Sequence, residues 1–286
     1  MIFLLLSILS STIITIVFKI QDKYNIKLFP VIVINYIIAT ALGFIINKTP
    51  IHFGQIISSS WFMGALGIGT LLILGFYLIG YSTKKIGISI TTVSNKMSVV
   101  LPIIFSIFAF SEGINTLKII GIFIALLSVF FTVYRKKTKE FDNKFIFIPI
   151  LLFFTIGIID SLVKFSQSEM TESQIPIFTA ISFGLSGITG IILSFFNSTK
   201  FFDYFSIKTL TTGIIIGAAN FGSMFFVIHA LNKSGLDSSI VFGINNVGII
   251  SLSVLVAFVF FKEKLRPINW LGIGLSLLAV ILLTIN

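Results

Sequence analysis

The chain contains no cysteine and only two histidines among its 286 residues. Without a thiol there is no disulfide, no thiol nucleophile and no cysteine-based metal site. His52 and His229 are too few to build a zinc site alone. Charge is scarce as well, with Asp, Glu, Lys and Arg making up 10% of the chain against about 25% in soluble domains. Apolar residues fill the space: they account for 56% of the sequence, and the mean hydropathy is +1.09. A soluble fold of this size still exposes a large surface and cannot hide so much apolar side chain. The sequence is that of an integral membrane protein.

The net charge of +10 does not point to nucleic acid, because the basic residues form no stripe. They sit in short gaps between apolar runs, where membrane proteins keep Lys and Arg. Met1–Phe18 lacks a positively charged start and a small-residue cleavage site, so it reads as a first transmembrane helix retained in the mature protein.

A spanning helix needs about 20 largely apolar residues. Ten stretches qualify, at roughly 2–18, 28–47, 60–80, 86–110, 116–134, 144–164, 175–197, 208–232, 235–261 and 268–285. A transmembrane β-barrel would need alternating runs, whereas "GIFIALLSVFF" (121–131) is continuously apolar. The expected fold is therefore all-α. The polar stretch "RKKTKEFDNK" (135–144) reads as a solvated basic loop, with five spans on either side, in residues 1–134 and 145–286.

The two halves resemble each other. Aligning Glu112 with Glu263 sets an offset of 151, at which Asn95 meets Asn246, Phe110 meets Phe261, and the Gly-Ile at 121–122 meets that at 272–273. Upstream, "KIGI" (85–88) matches "KSGL" (233–236) at an offset of 148. An odd number of spans per half inverts the second half relative to the first. Fifteen of the twenty basic residues then fall on one side of the membrane and four on the other; the twentieth is Lys96. The positive-inside rule places the fifteen-residue side in the cytoplasm and both termini outside.

This arrangement resembles the drug/metabolite transporter superfamily, its EamA-type branch in particular. The resemblance is carried by "FSEGINTLKIIGIFIALLSV" (110–129), by "FFKEKLRPINWLGIGLSLLAV" (260–280), and by "IVFK" (16–19) at the end of span one. It implies a ten-helix inverted repeat in the cell membrane and efflux of a small metabolite. Two departures stand out. The family often carries a basic residue in span two, where this chain has Asn35 in "VIVINYIIA" (31–39). The family also usually places both termini in the cytoplasm, opposite to the charge count here.

Polar residues within the spans are the expensive ones, since a central Lys or Asp costs about 2.5–3.5 kcal/mol to insert. Lys96, in "TTVSNKMSVVLP" (91–102), lies about 15 Å into span four at 1.5 Å per residue, half of a roughly 30 Å core. That is beyond the reach of snorkelling, so it must meet a partner or a water-filled cavity. Asp160, in span six, reads most simply as an i, i+4 pair with Lys164 near the membrane edge. That leaves Lys96 to a binding site or to a structural ion pair. Asn95, Asn245, Asn246 and Asn220 fall at a similar depth, near the midplane where repeat-built transporters bind substrate; with Asn35 they form the expected substrate-binding set. Each Asn has the alternative of an interhelical hydrogen bond. His229 and Asp160 are the candidates for proton or ion coupling. Pro102 is expected to kink span four one to two turns beyond Lys96. The small residues of "FGLSGITG" (183–190) and "IIGAANFGS" (215–223) are expected at close helix contacts, and Glu112 and Glu263 at helix starts.

These readings converge on a secondary transporter, not an enzyme, for a small polar metabolite that is anionic or zwitterionic, such as an amino acid. A multidrug or cationic-compound exporter is the alternative within transport. A membrane-embedded transferase is a third reading, for which Glu169 and Glu172 offer only a sparse pair of carboxylates. No "GK[ST]" follows a Gly-rich loop, so ATP-driven pumping within this chain is not expected. The implied partners are a substrate, membrane lipid and a proton as candidate coupling ion, with no nucleic acid, metal or cofactor. The expected assembly is a monomer or homodimer.

Overall fold

The computed structural model describes residues 1–48, 50, 53–109, 116–133, 145, 147–196, 202–235 and 238–284. Glu112, Phe110, His52, Lys200 and the basic loop 135–144 lie outside these. The described residues form thirteen α-helices and no strand: α1 (Ile2–Lys23), α2 (Leu28–Ile46), α3 (Phe53–Ile57), α4 (Phe62–Lys85), α5 (Ile88–Met97), α6 (Val100–Ala109), α7 (Thr116–Val133), α8 (Phe147–Ser168), α9 (Ile175–Ser194), α10 (Phe202–Phe205), α11 (Ile207–Lys233), α12 (Ser238–Val259) and α13 (Pro267–Thr284). Helix is what apolar runs of this length must form in hydrocarbon, where each backbone N–H and C=O needs a partner within the chain.

Seven segments are long and apolar enough to cross a membrane: α1, α2, α4, α5 with α6, α8, α9 with the turn before it, and α11. Shorter apolar stretches occupy α7, α12 and α13. The protein is a multi-pass membrane protein. Its first helix turns a polar stripe inward and apolar residues outward. In α1, Ser7, Ser11, Thr12 and Thr15 are buried while Leu5, Leu9 and Ile13 are exposed, the reverse of a helix on a soluble core.

Two main apolar cores form among the described residues. One is shared by α1, α2, α4, α8, α9 and α11, around Tyr36, Phe76, Phe178 and Phe183. The other joins α5, α6, α7, α12 and α13, around Met97, Val254 and Val280. Most packing crosses between the halves of the chain: α7 lies along α13, α1 along α11, α2 along α9 and α11, and α4 along α8 and α9. The small-residue segments lie at these crossings as expected. A Cβ on Gly217 would sit 2.7 Å from the backbone oxygen of Asn35, so only glycine lets α11 approach α2 there.

One end of the bundle gathers the lysines. Lys84 pairs with Asp22 at 2.7 Å and Lys27 with Asp203 at 2.7 Å, while Lys85 sits 5.4 Å over the ring of Phe145. At the other end Gln167 donates to Asn232 and Lys233 lies 3.5 Å from Glu172.

Span four is not the single kinked helix expected. It breaks at Ser98 and Val99, directly after the turn that bears Lys96 and on the N-terminal side of Pro102. The cause is the proline itself: it has no N–H for the carbonyl four residues back, Ser98, and its ring crowds that carbonyl. The Ser98 carbonyl is taken by Leu101 N at 2.9 Å in a tighter turn instead.

Candidate functional site

Where the two cores meet, a cavity of about 510 Å³ opens inside the bundle. Its wall takes Asn95 and Lys96 from α5, Asp160 and Lys164 from α8, Asn220 from α11, and Asn245 and Asn246 from α12. The remainder is largely apolar, including Phe76, Phe183, Met224 and Phe242. The lining comes from the middle of the helices and from the ends away from the lysine cluster: Lys164 lies one turn from the end of α8 and Phe242 one turn into α12.

Lys96 occupies the last turn of the ten-residue helix α5, where the carbonyl end of the helix favours a cation. Asp160 lies deeper than the sequence placed it. Helix α8 continues to Ser168, four residues past the predicted end, so Asp160 lies two turns inside the bundle instead of at its edge. It faces Lys96 across the cavity, and the two charges attract. No direct ion pair joins them among the described residues. Ser98, in the break after α5, lies beside the Asp160 carboxyl and gives its hydroxyl to the carbonyl of Asn95.

The asparagines play different parts. Asn220 lines the cavity and donates to Asn35 Oδ1 at 3.1 Å; Asn35 donates in turn to the Ile32 carbonyl at 3.4 Å. Asn35 is fully buried and stands behind the wall, so it orients Asn220 and does not reach the cavity. Asn245 and Asn246 are both buried in the wall, and Asn245 Oδ1 has no hydrogen-bond partner among the described residues. The same holds for Thr92 Oγ1, also in the wall. Leaving such a group unsatisfied costs about 1–3 kcal/mol.

His229 is not brought to the site. Its ring packs on Phe225 at 4.1 Å and Phe3 at 5.6 Å, and Nδ1 bonds the Phe225 carbonyl at 2.9 Å, outside the cavity. Conversely, the sequence reading passed over Ser11, Thr15 and Ser223, which also line the cavity. Ser11 and Ser223 hydroxyls meet at 2.6 Å and Ser7 donates to the Ser223 carbonyl, joining α1 to α11. The spacing Ser7, Ser11, Thr15 was the available signal, since residues four apart share one helix face.

The site offers two ammonium groups, Lys96 and Lys164, one carboxylate, Asp160, that faces Lys96, and amides around them. No three His, Asp or Glu side chains gather as metal ligands among the described residues. Chemically, such a set can pair with charges of either sign and hydrogen-bond between them.

No family model matches the sequence. An uncharacterized protein of Haemophilus influenzae is 28% identical over 283 residues, which cover 97% of this chain and 95% of that one. A solved crystal structure superposes with a TM-score of 0.62, covering 98% of this chain and 94% of its own, at 14% identity. That likeness is one of fold, over nearly the whole chain.

Proposed function

We propose that the protein is a secondary transporter for a small zwitterionic or anionic metabolite, of which an amino acid is the simplest example. It would work by alternating access around the central cavity. The observation that carries this reading is the cavity itself, polar at its centre and enclosed by helices from both halves of the chain. Lys96 supplies a cation for a carboxylate or phosphate, the asparagines supply amides, and Asp160 supplies the countercharge for a ligand amine. Lys96 also sits at the end of a broken helix, the kind of element that forms transporter sites.

The reading includes ten spans in two inverted five-helix halves, with α5 and α6 forming one span. Helix packing supports it, because the pairs map onto one another when the halves are exchanged: α1 with α11 becomes α8 with α4, and α2 with α11 becomes α9 with α4. At the α7–α13 crossing, Gly121 abuts Leu283 and Gly272 abuts Thr132, equivalent contacts at the offset of 151. The resemblance to EamA-type exporters belongs to the same proposal. By the positive-inside rule the lysine-rich end is cytoplasmic, and the cavity then extends toward the outside.

A second reading, export of cationic compounds, gains from the place of Asp160. A carboxylate inside the cavity is what binding a cation and a proton in turn requires, and Asp160 rather than His229 is placed for it. Thermal unfolding of the purified protein with amino acids, dicarboxylates, phosphorylated metabolites and quaternary ammonium compounds decides between them. A ligand that binds the folded state raises the midpoint. For a zwitterion or anion the rise disappears in Lys96→Met; for a cation it disappears in Asp160→Asn and survives in Lys96→Met. Binding and flux unchanged in both variants for every compound would refute transport through this cavity.

A further inference from the structure

Glu263 lies in the joint between α12 and α13, yet it does not serve the helix that follows it. Its carboxylate reaches across to the first turn of α5, accepting from Ile88 N at 2.6 Å, from Ser89 N at 3.3 Å and from the Ser89 hydroxyl at 3.0 Å. A helix N-terminus has donors without intrahelical partners, and they are usually met by the side chain of the residue just before it. That residue here is Gly87, which has no side chain. The cap comes instead from 175 residues away.

Two backbone features make room for this contact. Gly87 has φ of +114°, a conformation open only to glycine, and a Cβ there would lie 2.8 Å from Glu263 Oε1. Lys262 has φ of +50°, an uncommon conformation for a residue other than glycine, and it turns the chain out of α12 immediately before Glu263. The carboxylate sits among lysines: Lys19, Lys84, Lys85 and Lys264 line a hollow of about 150 Å³ with Gly87 and Glu263.

The consequence lies at the far end of α5. This helix is ten residues long, about 15 Å, and it carries Lys96 in its last turn. Beyond Lys96 the backbone breaks at residues 98–99. The segment bearing Lys96 is thus gripped at its start by Glu263 and set off from α6 by a two-residue break at its end. We infer that Glu263 is a latch and positioning residue: holding the first turn of α5, it sets Lys96 in the cavity and keeps the lysine-rich end shut. Release of the carboxylate lets α5 tilt and opens that end. The inference rests on the transporter reading, since alternating access demands that this end open in part of the cycle.

The test uses the absence of native cysteine. A single cysteine at Asn95, half-buried on α5 in the cavity wall, is labelled in sealed vesicles with a membrane-impermeant thiol reagent, applied to each face in turn. In the otherwise unchanged protein the rate is low from the face bearing Lys84 and Lys85. Glu263→Gln weakens charge-assisted bonds to neutral ones and is expected to raise that rate about tenfold, and to lower the rate from the opposite face. Gly87→Ala displaces the carboxylate without changing its charge and gives the same pattern, so one poorly folding variant does not decide the matter. Unchanged rates in both variants, or rates raised equally from both faces as in general loosening, overturn the latch. The labelling needs no ligand. A failed latch with intact Lys96-dependent ligand stabilisation leaves transport standing, and the converse leaves the latch standing.

Discussion

Neutralising one member of the Lys96–Asp160 pair strands the other inside the protein, and the double-mutant cycle of Lys96→Met and Asp160→Asn measures what the pair is worth. The two side chains face each other across the cavity without direct contact, so their separation exceeds the ~4 Å of an ion pair. At an effective dielectric constant of about 20, attraction is about 4 kcal/mol at 4 Å and about 2 kcal/mol at 8 Å. Water in the cavity reduces it further, and the expected coupling energy is about 1–3 kcal/mol. Each single variant loses stability because a half-buried charge has lost its counterion. The double variant, carrying neither charge, is expected to be more stable than the two single losses added together. Thermal unfolding in detergent, followed by fluorescence of the buried Trp61, gives the three differences. Single effects that add to within about 0.5 kcal/mol would mean the residues are independent. The pairing of Asp160 with Lys96 would then be wrong, and with it the assignment of opposite charges to one ligand.

Two further outcomes test the frame around the cavity. Tyr36→Phe removes a fully buried hydroxyl that donates to the Leu72 carbonyl at 2.6 Å; it should cost about 1 kcal/mol, read as a lower unfolding midpoint with ligand stabilisation retained. Gly217→Ala places a methyl 2.7 Å from the backbone oxygen of Asn35, forcing α2 and α11 apart at a cost of about 1–3 kcal/mol. Because Asn35 holds Asn220, this variant should also weaken ligand stabilisation, and a normal ligand response would show that Asn220 does not depend on its support.

The sequence by itself determined the class of the molecule. Runs of about 20 apolar residues leave the backbone no partner but its own helix, so the helices lie close to where the hydropathy placed them, and α2 matches span two nearly end to end. It also singled out Lys96, because a charge at that depth has no inexpensive explanation. Spacing along one helix could not reveal which residues of different helices meet. Asp160 was placed at the membrane edge beside Lys164, whereas the extra turn of α8 and its packing against α5 put it deeper, in a cavity wall it shares with both Lys164 and Lys96. Asn35 and Asn220 looked alike in sequence, yet one stands behind the cavity wall and the other in it. The break after Lys96 was written in Pro102 all along, through the carbonyl four residues earlier. The grip of Glu263 on α5 was not, since a contact across 175 residues exists only once the helices have packed.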